Sequence, residues 1–180
     1  HPFDAMILAS PMLGIHTAGI PAYLAESLVK ILHKLNRIFN ASDSWYFPGQ
    51  CNYRPKVFPA NPLTNSEYRL QWMQSLYQQY PEYCLGGATT GWLAAAIHVM
   101  SRLRKQAGQW HTPVLLLQGE EDTIVNNADQ LRWWQQLPQA LYRQKQLFSS
   151  ARHELFMEND AIRNQVLQTI SQFLISLPPK

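Results

Sequence analysis

At Pro113-Val114-Leu115-Leu116-Leu117-Gln118-Gly119-Glu120-Glu121-Asp122 the chain leaves helical periodicity for a short unbroken apolar run that ends in a glycine and three acids. A run of that length, with a proline before it and a glycine after it, reads as a buried strand. Asp129 to Gln136 follows with helical spacing and Leu141 to Phe148 reads as a second strand, so the three make a β-α-β unit. Open α/β sheets bind ligands beyond the carboxyl ends of their strands, which is where Glu120, Glu121 and Asp122 fall. A carboxylate placed there accepts a hydrogen bond from an imidazole and holds the ring in the tautomer that takes a proton from a hydroxyl. Asp122 is the choice among the three. The competing reading is a solvated loop whose acids favour the N-terminus of the next helix.

The imidazole comes from Ser149-Ser150-Ala151-Arg152-His153-Glu154, directly after the second strand and before the last helix. His153 lies 31 residues beyond Asp122, about what one helix and one strand occupy between successive strand ends. A lone loop histidine is ordinarily surface decoration; its position relative to Asp122 argues for more. His153-Glu154-Leu155-Phe156-Met157 begins like a zinc-protease helix, but Met157 stands where the second histidine belongs, so no metal site is assigned. His16, His33, His98 and His111 show no ligand spacing, and nothing in the chain calls for a cofactor.

Upstream, residues 4 to 10 form an apolar run closed by Ser10-Pro11, read as a buried central strand. Pro21 suits the first turn of an amphipathic helix that carries Leu24, Leu28, Ile31, Leu32, Leu35 and Ile38 at three- and four-residue steps. Pro48, Gly49, Pro55, Pro59 and Pro62 make residues 40 to 63 a long loop. Thr64 with Glu67 fits a capping box opening a helix that stops near Pro81, and a further helix covers about 90 to 107. The last helix starts near Asn159-Asp160, is expected to bury Ile162, Val166, Ile170, Phe173, Leu174 and Leu177, and is stopped by Pro178-Pro179. The fold class is therefore α/β, a mostly parallel sheet with flanking helices and residues 15–110 inserted as a helical cap. The alternative, a separate helical domain over 15–110, is disfavoured because its ends tie to neighbouring strands.

Composition limits the partners. The 180 residues are 46% hydrophobic and only 15% charged, which suits one globular domain rather than a disordered chain. A net charge of +3 with scattered Lys and Arg leaves no nucleic-acid footprint. The apolar runs fall well short of the roughly 20 residues that span a bilayer. Two cysteines give no disulfide framework and favour a reducing compartment. Because His1 leads at once into a strand, the chain reads as beginning inside a fold, and a leader peptide is neither seen nor excluded.

An acid and a base in this arrangement call for a nucleophile, which α/β-hydrolases present in a Gly-x-Ser-x-Gly turn between strand and helix. No such turn occurs. Gly87-Ala88-Thr89-Thr90-Gly91 imitates it with threonine, but Gln79-Tyr80-Pro81-Glu82-Tyr83 before it is no buried strand, so it reads as a loop and helix cap. The order nucleophile, acid, base places the expected serine before residue 1, and residues 1–180 alone are expected to be inactive.

Asp4-Ala5-Met6-Ile7-Leu8-Ala9-Ser10-Pro11-Met12-Leu13-Gly14-Ile15, Leu63-Thr64-Asn65-Ser66, Gly86-Gly87-Ala88-Thr89, Thr112 to Asp122 and Ala151-Arg152-His153-Glu154-Leu155-Phe156 together resemble the bacterial lysophospholipase L2 group, relatives of the monoglyceride lipases among the α/β-hydrolases. The resemblance covers nearly the whole chain and implies the C-terminal part of an α/β-hydrolase fold. It makes Asp122 the triad acid, with Glu121 the alternative, and His153 the base. The implied reaction is hydrolysis of a lysophospholipid ester with release of a fatty acid. A monoacylglycerol lipase, another esterase, thioesterase or aminopeptidase, and a non-catalytic carrier of apolar ligands are the alternatives. Met12 and Leu13 become candidate walls of an acyl channel, against a plainer role in the core. The implied setting is the cytoplasm, or peripheral association with the cytoplasmic face of the inner membrane.

Overall fold

A computed structural model describes residues 3–17, 19–40 and 42–178; His1 and Pro179 lie outside the described residues. Strands β1 (Met6–Ala9), β2 (Val114–Gly119) and β3 (Arg143–Phe148) form a parallel sheet in the order β1-β2-β3. Met6 aligns with Val114 and Ala9 with Leu117; on the other side Val114 aligns with Arg143 and Gly119 with Phe148. Parallel sheets are covered on both faces, and β2 is buried from end to end.

Alternate side chains of a strand point to opposite faces, so β2 feeds two cores. Leu115 and Leu117 join Phe148, Ala151, Leu155, Val166 and Phe173, the last two from helix α5 (Asp160–Ile175). Val114 packs instead with Leu13, Ala107, Trp133 and Leu137, where Trp133 comes from helix α4 (Asn127–Gln136). The expected β-α-β unit is thus β2-α4-β3. The run read as a central strand, β1, lies at one end of the described sheet with Ile7 36% exposed, and β2 takes the middle. An apolar run reports what packs on a strand's faces, not what pairs along its edges.

Between β1 and β2 run helices α1 (Ala22–Phe39), α2 (Glu67–Gln79) and α3 (Thr90–Gln106). Val29 of α1 packs with Leu93, Ala96, Ile97 and Met100 of α3. Buried Asn36 holds the following loop by donating to the carbonyls of Asn40 and Asp43 and accepting from Trp45 N and Thr90 Oγ1. The expected apolar face of α1 goes elsewhere: Leu24, Leu28, Ile31, Leu35 and Ile38 are all exposed. On α5, Val166 and Phe173 are buried as expected, whereas Leu174 is 48% exposed.

The capping box also shifts. Ser66 is the N-cap of α2 and accepts from Arg69 N, while Thr64 Oγ1 accepts from Ser66 N and donates to Met157 O at 2.6 Å. Thr89, in the threonine imitation of the serine turn, caps α3 by accepting from Trp92 N.

Candidate active site

The turns after β2 and β3 bring the acid and the imidazole together at the carboxyl end of the sheet. Asp122 Oδ2 lies 2.8 Å from His153 Nδ1, with the acid side chain fully buried and the imidazole 19% exposed. Asp122 Oδ1 accepts from Ile124 N at 2.8 Å and Val125 N at 3.0 Å, so both oxygens are engaged. The turn is braced from the segment after β1: Ile15 bridges Val125, and Asn126 N donates to Gly14 O at 3.0 Å. At Gly14 a Cβ would stand 2.0 Å from Asp129 Oδ2, so a side chain there would displace Asp129.

Gly119 leaves room for the loop that bears His153. A Cβ on it would lie 2.4 Å from Arg152 O and 2.6 Å from Ala151 O, so only glycine lets the histidine loop cross the end of β2. Glu121 N donates to Ala151 O at 2.8 Å across that crossing. Glu120, one of the three candidate acids, accepts from Ser150 N, whose residue has the positive φ of 58° that turns the chain toward His153. Glu121 is exposed. Of the three acids, Asp122 is the one in contact with the imidazole.

Electrostatics follow from this geometry. Burial favours a neutral carboxyl at Asp122, but the hydrogen bonds from His153 and the amides of Val125 and Ile124 outweigh it and hold the group below the ordinary carboxylate range. Burial likewise favours a neutral imidazole at His153, yet the bond to Asp122, its charge and that of Glu154 raise the pKa above the ordinary histidine value. With Nδ1–H donating to Asp122, a neutral ring offers Nε2 as a proton acceptor.

The far side of the loop is held by the segment leading into α2. Glu154 N donates to Leu63 O at 2.8 Å, and the Arg152 guanidinium to Pro59 O at 2.8 Å and Asn61 O at 2.7 Å. Sequence reasoning assigned nothing to Gly119 or Arg152, because what they do depends on contacts with distant backbone. The two proposed wall residues separate. Met12 packs against the α1–α3 cluster. Leu13, 4% exposed, sits among Ala107, Val114 and Trp133 behind the sheet, the plainer of the two roles open to it. A cleft of about 490 Å³ lined by Ile15, Val29, Ile97, Met100, Arg104 and Asp129 among others includes neither Asp122 nor His153.

A parallel sheet covered by helices on both faces is the architecture of the α/β-hydrolase fold. Residues 1–160 match the serine aminopeptidase S33 family, and the chain belongs to it. It is 29% identical to the probable lysophospholipase L2 of Haemophilus influenzae over 175 residues, 97% of this chain and 52% of that protein. It is also 29% identical to lysophospholipase L2 of Escherichia coli K12 over 174 residues, 94% of this chain and 50% of that one. Its fold superposes with a TM-score of 0.68 on a soluble variant of the Saccharomyces cerevisiae monoglyceride lipase in complex with a substrate analogue, at 17% identity, covering 97% of this chain and 56% of that one. The chain thus spans about half the length of the curated relatives it matches.

Proposed function

We propose that this chain carries the acid and base of a lysophospholipase that cleaves the acyl ester of a lysophospholipid and releases a fatty acid. The observation that carries the reading is the 2.8 Å contact between Asp122 and His153, which leaves Nε2 to accept a proton. A serine hydroxyl brought to Nε2 would lose its proton to His153 as it attacks the ester carbonyl, and Asp122 would stabilise the imidazolium that forms. The imidazolium then gives that proton to the departing glycerol oxygen as the ester C–O bond breaks; water attacks the acyl-enzyme, losing a proton to His153, which returns it to the serine oxygen as the fatty acid leaves. The nucleophile is assigned to no residue of this chain, which contains no Gly-x-Ser-x-Gly turn.

Residues 15–110 act in this proposal as the cap over the acyl chain, with Met12 at its base. The substrate also brings the protein to a lipid surface as a peripheral partner. No described helix is long and apolar enough to cross a membrane. The exposed stripe of α1, from Leu24 to Ile38 with Lys30 and Lys34 on the same helix, suits a shallow contact with anionic lipid.

Hydrolysis of a lysophosphatidylcholine, a monoacylglycerol, an acyl thioester and an aminoacyl amide by the enzyme that contains this chain tests the reading. Fatty acid release from the lysophospholipid, lost in His153→Ala, is the expected result. An unchanged rate in that variant sinks it, and lipid binding without turnover would point to a carrier instead.

A further inference from the structure

We infer that Glu158 is a positioning residue for His153: its buried carboxylate ties the loop bearing the base to the start of α2 and to the cap of α5. The inference rests on the reading of His153 as the base.

Glu158 is 0% exposed. Its Oε1 accepts from Arg152 N at 2.8 Å and from Asn65 Nδ2 at 3.2 Å. Its Oε2 accepts from Asn65 N at 3.1 Å and from Asn159 N at 3.2 Å. The donors come from three places: the residue beside the base, the segment before α2, and the N-cap of α5. All four are neutral N–H groups. A buried carboxylate is costly unless its lone pairs are met, and here a single side chain converges three backbone amides and a side-chain amide on two oxygens.

The surroundings extend the same seam. Asn65 Nδ2 also donates to Ser150 O at 2.7 Å, and the Arg152 guanidinium reaches Thr64 O at 3.1 Å in addition to Pro59 O and Asn61 O. Arg69 of α2 donates to the carbonyl oxygen of Glu158 and pairs with Asp160 of α5. The charged groups around Glu158 are therefore Arg69, Arg152 and Asp160; those acting on His153 are Asp122 and Glu154. Asp122 orients the imidazole ring, while Glu158, through Arg152 N, fixes the backbone from which that ring is carried. Glutamine cannot replace it: whichever oxygen becomes Nε2 sets an N–H donor against two others.

Glu158→Gln and Asn65→Ala, each made in the enzyme that contains this chain, test the inference through three measurements: kcat and KM, the His153 titration by NMR, and Tm. In Glu158→Gln, kcat is expected to fall about tenfold or more while KM stays within about threefold, the signature of a displaced catalytic group. The His153 midpoint should drop toward that of a free imidazole as the bond to Asp122 loosens. Asn65→Ala, which leaves three of the four donors, should move both in the same direction by less. If both variants lower Tm but leave kcat and the His153 midpoint at wild-type values, Glu158 only stabilises the fold and the inference is overturned. If Glu158→Gln does not fold, Asn65→Ala decides by the same readouts. His153→Ala in parallel keeps the two readings apart: activity that survives there refutes the base, whereas the His153 titration in Glu158→Gln still reports on positioning.

Discussion

At His153 two opposed forces set the chemistry. Burial disfavours the imidazolium and Asp122 favours it, and Asp122 wins. In the proposed reaction His153 must be neutral to accept a proton, so kcat/KM should rise with pH through a midpoint above that of free imidazole, about 6.5. Asp122→Asn removes the charge, and its amide faces Nδ1 with a donor that forces the wrong tautomer. A fall in kcat of about 10⁴-fold is expected, with the acid limb moved to lower pH, and a pH–rate profile checks both. The sign for stability is the reverse. The raised imidazole contributes stability below its unfolded pKa and loses it as pH rises through the folded value. The lowered carboxylate contributes above its unfolded pKa and loses it as pH falls through the folded value. The pair therefore holds the fold most strongly between the unfolded pKa of Asp and that of His, where His153 is protonated. Both residues were legible in sequence because strand ends and a 31-residue spacing are local patterns. The choice of Asp122 among the three acids rests in sequence on the family resemblance; in the structure it is the acid whose oxygens meet His153, Ile124 N and Val125 N.

At the scale of elements, periodicity announces a helix and its apolar residues but does not choose between adjacent apolar positions. Phe173 and Leu174 are neighbours on α5, yet Phe173 stacks on Tyr142, with ring centroids 5.7 Å apart, and is fully buried, while Leu174 is largely exposed. Phe173→Ala should cost about 3–5 kcal/mol through lost transfer and a residual cavity. Leu174→Ala should stay within about 0.5 kcal/mol. Denaturant midpoints of the two variants measure the contrast, and similar losses would contradict the packing of α5. The same ambiguity explains α1. Its apolar arc is wide, and the part facing α3 is filled by Val29, leaving the stripe from Leu24 to Ile38 outside that contact.

Across the whole molecule, that stripe is the feature with the broadest consequence. Leu28→Ser combined with Leu35→Ser should weaken co-sedimentation with phosphatidylglycerol vesicles several-fold, and binding by the unmodified chain should fall with added salt because Lys30 and Lys34 contribute attraction. Binding that ignores both changes would remove α1 from the lipid contact. The chain order of strands and helices, the β2-α4-β3 unit, the acid–histidine spacing and the threonine cap at Thr89 could all be read from local composition, because each depends on neighbours a few residues away or on repeated element lengths. The exposure of α1, the move of the α2 cap to Ser66 and the convergence on Glu158 could not. Thr64 and Asn65 find partners 93 residues along the chain, at Met157 and Glu158. Contacts of that span have no period and no motif; they exist only once the sheet and its crossings have brought the two segments together.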